Sequence, residues 1–81
     1  MNVTVRLFAR CRDLAGADAV RVSLPSGATV AELRRRLAVE HPALAALLPR
    51  CAVAVGGEFA GETHALTETA EVALLPPVSG G

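Results

Sequence analysis

Val72-Ala73-Leu74-Leu75-Pro76-Pro77-Val78-Ser79-Gly80-Gly81 sets the architecture of this chain. Apolar residues at consecutive positions from Val72 to Leu75 predict a strand inside a sheet, covered on both faces. Pro76 and Pro77 have fixed φ and no N–H, so the ladder must stop there. Beyond Leu75 only Val78, Ser79, Gly80 and Gly81 can donate a backbone hydrogen bond, which predicts a tail that leaves the fold extended and unpaired. Glycine has no Cβ. A chain closing on Gly80-Gly81 can therefore thread a channel shut to bulkier residues and present its last carboxylate as an unhindered acyl group. Such a tail suits insertion into the active site of another protein.

Upstream, the patterns that feed this strand are legible. Val3, Val5 and Leu7 alternate with Asn2, Thr4 and Arg6, a half-buried strand, and Phe8 breaks the alternation. Ala9 to Gly16 reads as an irregular link ending in a turn-capable glycine. Val20, Val22 and Leu24 alternate again with Arg21 and Ser23. The link is too short for a helical crossover, so these two strands form an antiparallel hairpin. Pro25-Ser26-Gly27 is a turn. Thr29-Val30-Ala31-Glu32 has the form of a capping box, and Val30, Leu33 and Leu37 give one helical face that must end before Pro42. Ala43 to Leu48 reads as a short helical piece and Cys51 to Val55 as a buried strand. Gly56-Gly57 is a hairpin turn, Glu58 to Ala60 an edge strand, and Glu62 to Thr69 a polar irregular stretch. A mixed sheet of about five strands on one main helix satisfies this order, with the first and last strands parallel at its centre, reached by a crossover through the helix. The domain spans residues 1–75 and the tail residues 76–81.

Composition narrows the function. Eighty-one residues make one domain with a small core and no room for a deep ligand cavity. Formal net charge is zero and neither Trp nor Tyr is present, which argues against nucleic-acid binding. All eight basic residues are arginines, so isopeptide chemistry can reach this chain only through its C-terminus. Cys11, Cys51, His41 and His64 have no finger-like metal spacing, and the cysteines read as two reduced thiols. No apolar run is long enough to span a membrane, and no signal peptide is visible, so a cytoplasmic location is expected. Gly56-Gly57 lacks the companions of a phosphate-binding loop. Arg34, Arg35 and Arg36 read as a solvated helix face, and His41 and His64 as plain surface residues.

With its diglycine end this arrangement resembles the α+β, ubiquitin-like β-grasp fold. The tail is more specific. Leu74 to Gly81 closely resembles the end of the small, sulfur-carrier subunits of molybdopterin synthase. Val3-Thr4-Val5-Arg6-Leu7-Phe8-Ala9 with Arg12-Asp13, Thr29 to Leu33, Ala54 to Phe59 and Glu71 to Leu75 resemble other stretches of that family. The chain departs from it at Gly56, where asparagine is common, and at Thr69-Ala70, where a Gly-Asp turn is common.

The resemblance implies that a ubiquitin-activating-like adenylyltransferase uses ATP to adenylate Gly81. A persulfide donor then replaces AMP, and the thiocarboxylate delivers sulfur to cyclic pyranopterin monophosphate inside a large subunit, the whole being a heterotetramer. Gly80 keeps the approach narrow. No side chain of the chain is catalytic, no cofactor is bound, and no metal. It also implies docking through Phe8, Phe59 and Leu75, with Pro76, Pro77, Val78 and Ser79 as the inserted arm and Arg12 against an acidic partner surface. Composition alone favours both phenylalanines as core residues. The break in alternation instead sends Phe8 to the face opposite Leu7. Arg12 reads equally as a solvated charge beside Asp13. Other functions open to the same tail are sulfur carriage for thiazole or cysteine synthesis, ubiquitin-like modification of lysines, and passive β-grasp interaction.

Overall fold

The alternation at the start of the chain is realised residue by residue. In β1 (Asn2–Leu7) Val3, Val5 and Leu7 are buried and Asn2, Thr4 and Arg6 exposed. β2 (Ala19–Ser23) pairs with it antiparallel, Val5 opposite Val20. Between them lies an element the sequence reading missed. Ala9–Ala15 is a seven-residue helix, α1, closed by Gly16 in the left-handed conformation at φ 70°. The computed structural model describes residues 1–78, so expectations for Ser79, Gly80 and Gly81 lie outside the described residues.

The main helix, α2 (Val30–Glu40), begins as expected. The Thr29 side chain accepts the Glu32 N–H, and the Glu32 carboxylate accepts the Thr29 N–H at 3.2 Å. Its buried residues are Val30, Leu33 and Leu37, and it ends before Pro42. The short helical piece resolves into two 3-10 turns, Pro42–Leu44 and Leu48–Arg50. β3 (Ala52–Val55) and β4 (Glu58–Phe59) form a hairpin through Gly56 and Gly57, at φ 59° and 84°. Both values are left-handed, as a type I′ turn requires, and glycine adopts them without a Cβ penalty.

β5 (Val72–Leu75) completes one five-stranded sheet of order β2-β1-β5-β3-β4. It lies parallel to β1 and antiparallel to β3, at the centre, giving the β-grasp arrangement. One expectation needs correcting. β5 is covered on one face only: Val72 and Leu74 are buried, but Ala73 and Leu75 are half-buried. The reason is layering. Leu33 and Leu37 of α2, Leu44, Leu47 and Leu48 of the 3-10 region, and Leu66 join Val3, Val5, Val53, Val72 and Leu74 in one core on one side of the sheet. Among the described residues no second buried cluster covers the other side.

Of the three arginines of α2, one differs from expectation. Arg35 and Arg36 are exposed. Arg34 is folded inward. Its Nη1 donates to the carbonyls of Leu48 and Cys51 at 2.7 and 2.8 Å, and its Nε pairs with Glu62 at 2.9 Å. It thereby ties α2 to the two ends of the second 3-10 turn: the Leu48 carbonyl, which also accepts the Cys51 N–H at 3.1 Å, and the Cys51 carbonyl just past it.

Candidate functional site

The open face of the sheet is built from small residues. Register places Ala19, Arg6, Ala73, Ala54 and Phe59 in one row across β2, β1, β5, β3 and β4. In the next row Leu75 stands opposite Ala52. Ala73 and Ala54 keep the β5–β3 part of this face flat, beside the exposed Arg6 of β1. The large apolar side chains stand at its edges: Phe59 is 79% exposed and Phe8 42%. Both are therefore outside the core, contrary to the reading from composition.

Phe8 owes its position to backbone. It remains extended, at φ −128° and ψ 150°, and continues the alternation past Leu7 to the outer face. Ala9 then takes φ 49°, a left-handed value uncommon for alanine, and turns the chain into α1. Phe8, Phe59 and Leu75 thus line one groove, and Pro76, Pro77 and Val78 line it too. The arm starts inside this apolar surface. Val78 is 92% exposed at its described end.

Five groove residues escaped the sequence reading: Ala9, Arg10 and Asp13 from α1, Arg50 at the end of the second 3-10 turn, and Ala52 at the start of β3. The first three required knowing that residues 9–15 are helical. Ala52 could have been found from its register with Leu75. Arg12 does not line the groove. It faces Asp18 across 3.9 Å, and both side chains are largely exposed. The rim carries mixed charge around an apolar floor, the composition of a reversible protein contact.

His41 caps the C-terminal end of α2, with its N–H on the Leu37 carbonyl, and His64 is exposed in the loop before Leu66. Neither lines the groove. Cys11 and Cys51 do come together, with their sulfurs 3.6 Å apart. Among the described residues no group of three or more His, Cys, Asp or Glu is placed to hold a metal. Among the same residues no helix is long and apolar enough to cross a membrane.

Comparison with known proteins agrees with this geometry. A molybdopterin synthase sulfur carrier subunit from Chlamydomonas reinhardtii is 34% identical, over the whole of both chains. The crystal structure of SAMP1 from Haloferax volcanii superposes with a TM-score of 0.86 at 34% identity, again covering both chains fully. A chain of the complex of subunits 1 and 2 of the molybdopterin-converting factor from Helicobacter pylori superposes at 0.70 with 27% identity, over all of both chains. The model of the ThiS family matches residues 5–81, nearly the full length and including the diglycine end. This chain belongs to the ThiS family.

Proposed function

We propose that the chain is the sulfur-carrier subunit of a molybdopterin synthase and that its reactive group is the main-chain carboxyl of Gly81. The observation that carries this reading is the groove. An open apolar surface of Phe8, Phe59 and Leu75 surrounds the root of an arm whose sequence ends in Gly80-Gly81. Such a surface is what a carrier needs to dock reversibly with more than one enzyme. The names of the Chlamydomonas relative and of the Helicobacter complex support the pathway.

A carboxylate is a poor electrophile, because resonance stabilises it and oxide is a poor leaving group. An activating enzyme supplies ATP. A Gly81 oxygen attacks the α-phosphorus and pyrophosphate leaves, giving an acyl-adenylate. A persulfide sulfur then attacks the Gly81 carbonyl carbon and expels AMP. Thiol reduction of the resulting acyl disulfide leaves the thiocarboxylate and a new disulfide. The thiocarboxylate sulfur is soft and anionic, a competent nucleophile toward cyclic pyranopterin monophosphate in the large subunit. In this reading the chain contributes docking and a narrow arm, and the acids and bases belong to its partners in a cytoplasmic heterotetramer.

Intact mass after incubation with the activating enzyme, ATP and a persulfide donor tests this. The expected shift is one oxygen exchanged for sulfur, located on Gly81; an unchanged mass in the presence of a competent enzyme overturns it. Likeness to the Haloferax SAMP1 structure favours a second reading, conjugation of Gly81 to lysines of other proteins. Gly81 remnants on lysines of many unrelated cellular proteins would establish that role.

A further inference from the structure

We infer that Cys11 and Cys51 form a redox modification site, an oxidisable dithiol that fastens α1 to the start of β3 beneath the docking groove. The residues are forty apart in sequence, yet their sulfurs lie 3.6 Å apart, in contact. Both thiols are free and buried, Cys11 at 0% and Cys51 at 5% exposure. A disulfide needs the sulfurs about 1.5 Å nearer, a movement within the range of small side-chain adjustments. Cys51 Sγ donates to the Leu47 carbonyl at 3.3 Å, which leaves Cys11 as the donor across the pair.

The position gives the bond a consequence. Cys11 is the only buried residue of α1, so this contact is the helix's main anchor in the core. A seven-residue helix has little stability of its own. The neighbours of both cysteines, Arg10 on one side and Arg50 and Ala52 on the other, line the groove. Oxidation converts a soft contact into a covalent tie between two walls of the docking surface.

The reaction requires a two-electron oxidant of the low-molecular-weight disulfide class. Cys51, the less buried of the two residues, gives up its proton, attacks as thiolate and expels one small thiolate, forming a mixed disulfide. Cys11 then gives up its proton, attacks the Cys51 sulfur and expels the second thiolate. Two protein thiols are oxidised and one small disulfide is reduced to two thiols. In the reduced pair burial pushes the Cys11 thiol up to about 12, helped by its hydrogen bond to Cys51 and by the charge of Cys51, so Cys11 does not supply the first attacking thiolate.

The test titrates the full chain in glutathione redox buffers, quenches with acid, alkylates under denaturing conditions and reads intact mass and peptides. The expected product is a monomer lacking two alkylations, with a Cys11–Cys51 cross-linked peptide and full reversal by dithiothreitol. Hydrogen exchange in α1 should slow roughly tenfold in the oxidised form. Cys11→Ala should stop at a mixed disulfide on Cys51. Two alkylatable thiols at every glutathione ratio, or a cross-link only between molecules, would overturn the inference. Unchanged exchange in α1 would overturn the fastening role. Both readouts use the wild-type chain, so a poorly folding variant does not obscure them.

Discussion

Phe59 stands directly opposite Ala54 in the β3–β4 pair, a large exposed ring on the edge strand facing a small residue on the inner one. The pairing explains how an aromatic side chain can be presented at the rim of the sheet without belonging to the core. It also separates binding from folding. Phe59→Asp should leave stability changed by no more than about 0.5 kcal/mol, as for surface positions in general. The same change should weaken binding to a molybdopterin synthase large subunit by at least about 2 kcal/mol, the loss typical of a central anchor. Thermal unfolding and titration calorimetry on the same preparation check the two halves. Unaltered affinity would remove Phe59 from the docking surface.

Arg34 makes three side-chain hydrogen bonds, to residues of two other segments. Its guanidinium serves two main-chain carbonyls and one carboxylate, and its side chain is 19% exposed whereas that of Glu62 is 57% exposed. The two partners should therefore differ in worth. Arg34→Ala removes the guanidinium from the Cys51 carbonyl and leaves the Leu48 carbonyl with only the Cys51 N–H, and should cost about 1–3 kcal/mol. Glu62→Ala removes only the exposed half of the ion pair and should cost less than about 1 kcal/mol. Arg34→Lys should recover only part of the loss, because an ammonium lacks the planar fork that reaches both carbonyls. Urea unfolding of the three variants decides; equal losses for Arg34→Ala and Glu62→Ala would show that the carbonyl contacts add nothing.

What the sequence conveyed and what it withheld follow from range. The alternation of β1 and β2, the Thr29–Glu32 capping box, the glycine hairpin and the stop before Pro42 are local signals, and each is realised. The outward placement of Phe8 was also local, one residue of broken alternation. α1 was hidden because its only buried residue is Cys11 and its N-cap, Phe8, makes no side-chain capping bond. A helix whose core-facing side is one buried Cys11 and a partly buried Ala15 carries too short a period to read. Arg34 was hidden among identical neighbours, since only the later 3-10 turn supplies the carbonyls that single it out. The open face of β5 was hidden for a similar reason: Val72 to Leu75 reads as doubly covered, and only the layering shows that the second cover is missing.

Ala9 offers a test of the backbone turn that follows Phe8 and starts α1. Its φ of 49° lies in the left-handed region, where a Cβ is unfavourable. Ala9→Gly should relieve that conflict and raise stability by up to about 1 kcal/mol, partly offset by the greater entropy of the unfolded glycine. Ala9→Val, with a branched Cβ, should lower stability by more than about 1 kcal/mol. Denaturant midpoints for the pair should move in opposite directions; a shared direction would mean that Ala9 carries no conformational conflict.

The buried thiol at Cys11 makes the fold sensitive to alkali, with a sign that can be derived. Burial, then the hydrogen bond to Cys51 and its charge, raise the Cys11 pKa from 9.0 in the unfolded chain to about 12 in the fold. Below pH 9 the thiol is protonated in both states and its contribution is fully present. Between about 9 and 12 the unfolded chain releases this proton while the folded one retains it. The unfolded state then binds fewer protons, so stability falls as pH rises, by about 1 kcal/mol per pH unit. The chain contains no lysine and no tyrosine, so side chains other than thiols ordinarily leave this window empty. Urea unfolding of the reduced protein at successive pH values from 8 to 11 should show that decline, and Cys11→Val should flatten it. Parallel curves for the two proteins would mean that the thiol is no harder to ionise in the fold than in the open chain.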